Sequence, residues 1–182
     1  MSESDTITLN PAELTKIWDK RAQILAQPPL PEPTGDELQI VTFTLNNMVY
    51  GVEAYYVQGA YPLQQLTPIP RTPPFMVGLF NRRGHLTPVI DLYAFWGMTP
   101  LPVTNSSHVV VVNQQQNGFD VGLLADSVTD MIPIYRADLE PPLTTQAEVM
   151  SHAMLGIWKT AVILDLSIIL TDQRLLINQD LT

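Results

Sequence analysis

The sequence predicts a mainly β fold made of two small barrels, preceded by a helical extension. Three observations favour this fold: apolar segments of strand length recur at short intervals, turn residues separate them, and no segment between them is long enough for a crossover helix. The strands should therefore pair mainly antiparallel. Many short strands in a chain of 182 residues usually close into barrels, because closure removes exposed edges that would otherwise pair between molecules.

Residues 1–27 are predicted to form an N-terminal helical extension. Asn10 can cap the helix with Pro11 at its first position, and apolar side chains then recur at helical spacing as far as Leu25. Prolines are frequent in residues 28–37, which indicates a semi-rigid linker. The folded domain then covers residues 38–178. The apolar stripe of the helix can pack on that domain or on another protein, and both readings stay open.

After the linker, the hydrophobic period changes to that of strands. Apolar residues at 41, 43 and 45 alternate with threonines, Asn46-Asn47 provides a turn, and a returning strand runs from Met48 to Val52. These features predict a hairpin. Further strands are expected at 63–69, 76–80, 85–92, 109–113, 119–125, 128–134 and 161–166. Residues 167–176 are expected to add one or two closing helical turns.

Two segments repeat one pattern, an apolar strand stopped by an aspartate. They are Pro88-Val89-Ile90-Asp91-Leu92 and Val162-Ile163-Leu164-Asp165-Leu166, and they favour two related halves. Asp126 also follows an apolar strand. Aspartates in such positions more often accept hydrogen bonds from backbone amides than work as a pair of hydrolytic carboxylates, so a structural role is the favoured interpretation.

The charge and composition exclude several function classes. Lys and Arg total 9 against 18 Asp and Glu, and the formal net charge of −9 repels nucleic-acid phosphates and anionic lipids. Without cysteine the chain cannot form disulfides or cysteine-ligated zinc sites. It has neither a basic leader nor an apolar run of the roughly 18 residues that a membrane span needs. We therefore expect a cytoplasmic protein that binds no nucleic acid and does not insert into membranes.

The sequence offers no converging catalytic groups. His85, His108 and His152 do not have the spacing of a zinc site. There is no Gly-x-Ser-x-Gly motif for a serine nucleophile and no glycine-rich loop for a nucleotide phosphate. We expect neither enzymatic activity nor a metal or other cofactor.

The most unusual stretch is 67–92, where prolines and glycines interrupt apolar strands and two adjacent arginines lie in a turn. Asn81 can bond the turn backbone and Gly84 can take a positive φ, so Arg82 and Arg83 are expected to face solvent. In an acidic chain, such a pair could dock a partner's carboxylates or backbone carbonyls. A solvated hairpin tip without a partner is the alternative.

Across about residues 38–177 the sequence resembles CheW-like domains, the coupling proteins of bacterial chemosensory arrays. The matching residues are Phe43 and Leu45, Tyr50-Gly51-Val52, Pro73, Phe75 and Gly78, Asn81, Arg83 and Gly84, and Pro88 to Leu92. The later half also fits, with Gly122, Leu123, Asp126, Val128 and Leu164-Asp165.

The resemblance implies two five-stranded SH3-like β-barrels and a non-catalytic function. Such proteins couple the cytoplasmic tips of methyl-accepting chemoreceptors to the regulatory domain of a CheA-type histidine kinase. The implied interaction residues are Val57, Gly78, Arg83 and Gly84, to which the turn adds Asn81 and Arg82. A stand-alone β-barrel that senses a small ligand is the alternative function.

The chain departs from the family pattern at two places. Where the family commonly reads Val-x-Glu-Ile, this sequence has Val57-Gln58-Gly59-Ala60, so an acidic side chain is missing. Arg82 replaces the leucine of the family's Asn-Leu-Arg-Gly turn and adds a charge. These departures indicate a dedicated pathway such as phototaxis, pilus-based motility or another chemosensory-like system.

Overall fold

The computed structural model describes residues 36–113, 119–142 and 148–175, which form eleven strands and three short α-helices. The strands are β1 (Glu37–Leu45), β2 (Met48–Glu53), β3 (Val57–Pro62), β4 (Leu66–Thr67), β5 (Met76–Arg82), β6 (His85–Ile90), β7 (His108–Asn113), β8 (Asp120–Ala125), β9 (Ser127–Tyr135), β10 (Met154–Trp158) and β11 (Ala161–Leu164). The helices are α1 (Leu92–Phe95), α2 (Glu148–Ser151) and α3 (Leu166–Thr171), and 3₁₀ turns follow β2 and β9.

The first sheet has the strand order β10-β11-β2-β1-β9. Its central hairpin is the predicted one, with Leu45 opposite Met48 and both Asn46 and Asn47 at positive φ. β11 pairs with β2 in parallel, and the other pairs are antiparallel. After β9, Glu140 and Ile157 of β10 exchange two backbone hydrogen bonds of 2.8 Å. This bridge joins the two ends of the sheet, so five strands form a closed barrel.

The second sheet has the order β3-β7-β8-β6-β5-β4, in which β6 and β8 are parallel. The two-residue β4 adds a sixth strand to the five expected. Strand β3 is at one edge of this sheet, and β5 lies next to the opposite edge strand. Tyr61 of β3 packs on Phe80 of β5 with ring centroids 6.1 Å apart. The prediction of a mainly β fold with two small, mainly antiparallel barrels is therefore confirmed.

Among the described residues the hydrophobic core has three parts, because the strands are buried on both faces. Ile40 and Ile163 belong to a cluster within the first sheet, and Val109 and Val111 to one within the second. A larger cluster, the shared core, contains residues of both sheets. Val109 to Val112 are all completely buried because alternate side chains enter different clusters. This double burial explains the continuous apolar run at 109–112 in the sequence.

Some strand predictions were wrong. The strand expected at 63–69 is reduced to Leu66–Thr67, and β3 and β10 were missed. Both missed strands contain a glycine, Gly59 or Gly156, at a shift of register, where an ideal Cβ would lie under 3 Å from Tyr61 Oη or Glu140 O. In the sequence these glycines resemble turn residues, whereas in the structure they allow β-bulges.

The predicted strands at 85–92 and 161–166 each end earlier than expected, because their aspartates cap helices. Asp91 caps α1 by accepting from the Tyr93 amide at 2.8 Å, and Asp165 caps α3 by accepting from the Ser167 amide at 2.9 Å. The repeated sequence pattern thus corresponds to a repeated structural unit of a strand and a capped helix. The closing helical turns expected after residue 166 are confirmed by α3.

The N-terminal helical extension and nearly all of the linker lie outside the described residues, so both stay predictions. Glu37, the last residue assigned to the linker, already belongs to β1. None of the helices in the described ranges has the length and apolar character to cross a membrane.

Candidate functional site

The turn predicted at 81–84 is present as a tight hairpin between β5 and β6. Arg82 pairs with His85 in register, and the two residues between them, Arg83 and Gly84, have φ values of 51° and 90°. Positive φ at both positions is the pattern of a type I′ turn. The Asn81 side-chain oxygen accepts a hydrogen bond from the Gly84 amide at 2.9 Å. The hairpin therefore presents Arg83 on a fixed backbone.

Arg83 carries an available positive charge. Its side chain is exposed and has neither an ion pair nor an aromatic ring contact with another described residue. Arg71, in the loop before β5, is likewise exposed and has no ion pair or aromatic ring contact with another described residue. The remaining cations of the described ranges are engaged: Arg82, Arg136 and Arg174 pair with acids, and Lys159 lies over Trp158.

Arg82 does not face solvent freely, so this part of the prediction was wrong. Its side chain is 25% exposed, and Nη2 forms an ion pair with Asp120 at 3.3 Å. Nη1 donates to the Tyr61 hydroxyl at 3.2 Å, and the guanidinium lies 5.6 Å from the centre of that ring. These partners are 21 and 38 residues away in sequence, which is why the local pattern did not reveal them.

A cleft of about 400 Å³, lined by both polar and apolar groups, separates the hairpin from the end of β3. Its lining residues are Tyr61, Pro62, Gln64, Gln65, Phe80, Asn81, Arg82 and Arg83. Amide, phenol and guanidinium groups can bind carboxylates or backbone carbonyls. Sequence reasoning missed Tyr61, Gln64 and Gln65. Their only signal was the polar Gln64-Gln65 pair, which interrupts an otherwise apolar segment.

The structure does not bring Val57 and Gly78 into this cleft. Val57 begins β3 at the opposite end from Tyr61 and is half-buried against the shared core, where the chain passes from the first sheet to the second. Gly78 is buried in β5 beside β4, and an ideal Cβ there would lie 2.6 Å from the Thr67 carbonyl oxygen. A docking role for Val57 and Gly78 stays a prediction.

The aspartates considered for hydrolysis all bind backbone amides. Besides the caps at Asp91 and Asp165, Asp126 accepts from the Asn46 amide at 2.7 Å across the first hairpin turn. The structural interpretation of these residues is therefore confirmed. Within the described ranges, no group of three or more His, Asp or Glu side chains is arranged to hold a metal ion.

A family model described as CheW-like domain matches residues 39–174, which include both barrels and the hairpin. The chain belongs to the CheW-like domain family. The solved scaffolding protein TtCheW from Thermoanaerobacter tengcongensis is 30% identical, with a TM-score of 0.61 over 74% of this chain and 86% of that chain.

Curated relatives of this CheW-like domain include chemotaxis and similar proteins. The chemotaxis protein CheW of Klebsiella aerogenes is 33% identical over 110 residues, which are 60% of this chain and 64% of that protein. Protein FrzA of Myxococcus xanthus is 29% identical over 106 residues, which are 58% and 65%. The chain thus spans just under two thirds of the length of these relatives.

A second charged cluster of the CheW-like domain lies at the end of α3. Arg174 donates to the Asp172 carboxylate through Nε at 3.0 Å and Nη2 at 2.8 Å, and Nη1 donates to the Phe95 carbonyl at 2.8 Å. Its guanidinium lies 3.8 Å from the centre of the Phe95 ring. The side-chain hydrogen bond from Arg174 holds the pKa of the Asp172 carboxyl below its usual value. This cluster ties the chain after α3 to α1.

Asp172→Asn is expected to destabilise the domain only while Asp172 is ionised. Because the folded-state pKa is lowered, its stabilisation is present above the ordinary pKa of an unfolded aspartate and is lost as pH falls through the lower folded value. We expect a loss of roughly 0.5 kcal/mol at neutral pH, small because both side chains are partly exposed. Denaturant unfolding across acid and neutral pH measures it, with Asp130→Asn as control. A difference independent of pH would contradict this assignment.

Proposed function

We propose that this chain is a non-catalytic adaptor that couples methyl-accepting chemoreceptors to a CheA-type histidine kinase in a chemosensory array. The observation that carries the proposal is the CheW-like family match over residues 39–174. The likeness to the scaffolding protein TtCheW supports it, as do relatives named as chemotaxis proteins. Nothing in these comparisons favours the small-ligand sensor. A cytoplasmic location belongs to the same proposal.

The proposed mechanism uses two separate attachment surfaces on the domain, one for each partner. One molecule can then hold the regulatory domain of the kinase and the receptor tip at the same time. The receptor would lie between the barrels, where Val57 marks the crossing of the chain, and Arg83 would bind a partner's carboxylate or backbone carbonyl. Each interface is expected to be modest, and the repeated geometry of an array then raises the overall binding strength.

Arg83→Glu is expected to weaken partner binding by about tenfold or more, equivalent to ~1.4 kcal/mol, because it reverses the exposed charge on the hairpin. The melting temperature should hardly change, since Arg83 has no ion pair with another described residue. Calorimetric titration with the kinase and with a receptor cytoplasmic fragment, both from the same cell, measures the effect.

Arg71→Glu is the matched control for this experiment. Arg71 is also exposed, is also at positive φ, and precedes β5 whereas Arg83 follows it. Equal weakening by both variants would indicate an effect of net charge, and unaltered binding by the Arg83 variant would remove Arg83 from the site. Co-purification of the wild-type chain with the CheA-type kinase tests the function itself, and its absence would count against the adaptor.

A further inference from the structure

Five residues on four strands of the second sheet form a connected unit beside the hairpin, which we call the latch. Arg82 of β5 donates to the Tyr61 hydroxyl of β3 and forms an ion pair with Asp120 of β8. Asn113 of β7 donates its side-chain amide to the other Asp120 oxygen at 2.7 Å. Gly59 of β3 completes the latch. Arg82 is thus held by the Tyr61 hydroxyl and by the Asp120 carboxylate, whose other oxygen is bound by Asn113.

Gly59 belongs to the latch because it leaves room for Tyr61. An ideal Cβ at residue 59 would lie 2.6 Å from the Tyr61 hydroxyl and 2.9 Å from Cζ. The φ of 154° at Gly59 is also one that other residues rarely adopt. Any side chain at this position would push Tyr61 away from Arg82. The glycine and the arginine, both departures from the family pattern described above, therefore act on the same tyrosine.

The latch connects strands that the sheet itself keeps apart. Strands β7, β8 and β6 lie between β3 and β5 in the sheet order. Without Tyr61 and Arg82, the polar contact across the cleft would be lost at the hairpin that carries Arg83. The latch also neutralises one of the two adjacent arginines, since the Arg82 charge is paired with Asp120. Within the described ranges, one guanidinium of the turn, that of Arg83, stays without an ion pair.

We propose that Arg82 is a positioning residue that holds the hairpin at a defined separation from β3, so that Arg83 alone supplies the charge that meets the partner. This inference rests on the proposed adaptor function. Pre-organisation raises affinity because the loop and side chains lose less freedom on binding. The latch also determines which partner the surface selects. With Arg82 engaged, the surface fits a partner with one acidic group opposite Arg83, whereas a freed Arg82 would add a second cation.

The first test concerns the latch and needs no partner. Arg82→Leu, Asp120→Asn and the double variant form a double-mutant cycle measured by thermal unfolding. Because the two residues interact directly, the fall in melting temperature of the double variant should be smaller than the sum of the two single falls. Strict additivity would show that the ion pair is not coupled and would overturn the latch.

The second test measures the affinity for the CheA-type kinase and for the receptor cytoplasmic fragment at several ionic strengths. The Arg82→Leu/Asp120→Asn double variant removes the ion pair without changing the net charge, and it is expected to weaken binding roughly three- to tenfold with an unchanged dependence on salt, because Arg82 acts through the hairpin. Arg83→Leu is expected to weaken binding and to reduce the salt dependence, since it removes a charge that meets the partner. Gly59→Ala displaces Tyr61 without changing charge, so it should resemble the double variant.

The outcomes separate the inference from the adaptor function. If the double variant reduces the salt dependence as much as Arg83→Leu, Arg82 contacts the partner and the positioning role is wrong. Full affinity in both the double variant and Gly59→Ala would also overturn it. If the wild-type chain binds neither kinase nor receptor, the adaptor function and the positioning role both fail, whereas the thermal cycle still decides whether the latch exists.

Discussion

Replacing Gly78 by valine is expected to lower the free energy of unfolding by at least ~4 kcal/mol, which is a large part of the total stability of a typical domain. The first Cβ atom alone would lie 2.6 Å from the Thr67 carbonyl oxygen and 3.0 Å from Leu66 Cγ. Because the first of these atoms belongs to the backbone of β4, relief requires that β4 separate from β5. The φ of 153° adds backbone strain for any residue with a side chain.

Gly84→Val is the matched control, since it makes the same substitution in the same hairpin. Gly84 has a φ of 90°, but an ideal Cβ there meets no atom within 4 Å. Only the cost of the backbone conformation remains, and we expect the free energy of unfolding to fall by ~2 kcal/mol. Denaturant unfolding followed by circular dichroism compares the two variants. A Gly78 variant as stable as wild type would show that β4 is not packed on β5 as described, and a loss equal to that at Gly84 would leave strain as the only cause.

Asp91→Ala is expected to lower the free energy of unfolding by ~3 kcal/mol, or the melting temperature by about 6–12 °C. Asp91 is 1% exposed, and its carboxylate accepts from the amides of Tyr93 at 2.8 Å, Ala94 at 3.4 Å and Leu101 at 2.6 Å. Alanine would remove the helix cap and leave buried amides without an acceptor. Such groups cost more than an ordinary lost hydrogen bond.

Asp165→Ala provides the comparison, because Asp165 caps α3 in the same way but is only half-buried. Water can replace the lost carboxylate there, so we expect the free energy of unfolding to fall by only ~1 kcal/mol. Asp91→Asn should lie between the two, since its carbonyl oxygen can still accept one bond. Thermal and denaturant unfolding of the three variants test this order. Equal losses for the two alanine variants would contradict the role assigned to the Leu101 contact.

The large effect at Asp91 also follows from what it positions. α1 supplies Tyr93, which meets Tyr50 of β2 with ring centroids 6.4 Å apart, and Trp96 after the helix lies at the same distance. The two tyrosine hydroxyls are 3.3 Å apart in the shared core, and burial raises the pKa of Tyr50. A displaced α1 would therefore disturb the packing between both sheets.

Most elements that depend on neighbouring residues could be predicted from the sequence. The hairpin at Asn46-Asn47 and the turn at 81–84 were identified because their turn residues favour positive φ or bond their own backbone. Strands β3 and β10 were missed because Gly59 and Gly156 cannot be distinguished from turn residues in the sequence. Their real role depends on the register shifts against β7 and β11 and, at Gly156, on the Glu140 carbonyl, and these exist only in the folded protein.

The sequence by itself determined the fold class, the family and the position of the arginine turn, because alternation, turn residues and short motifs are local properties of the chain. Only the tertiary structure decided which of two adjacent arginines is available to a partner. Arg82 is engaged because folding brings Tyr61 and Asp120 to it from distant strands, whereas Arg83, one residue later, points to solvent. The charge that a surface presents depends on such long-range pairs, and these form only when the barrel closes.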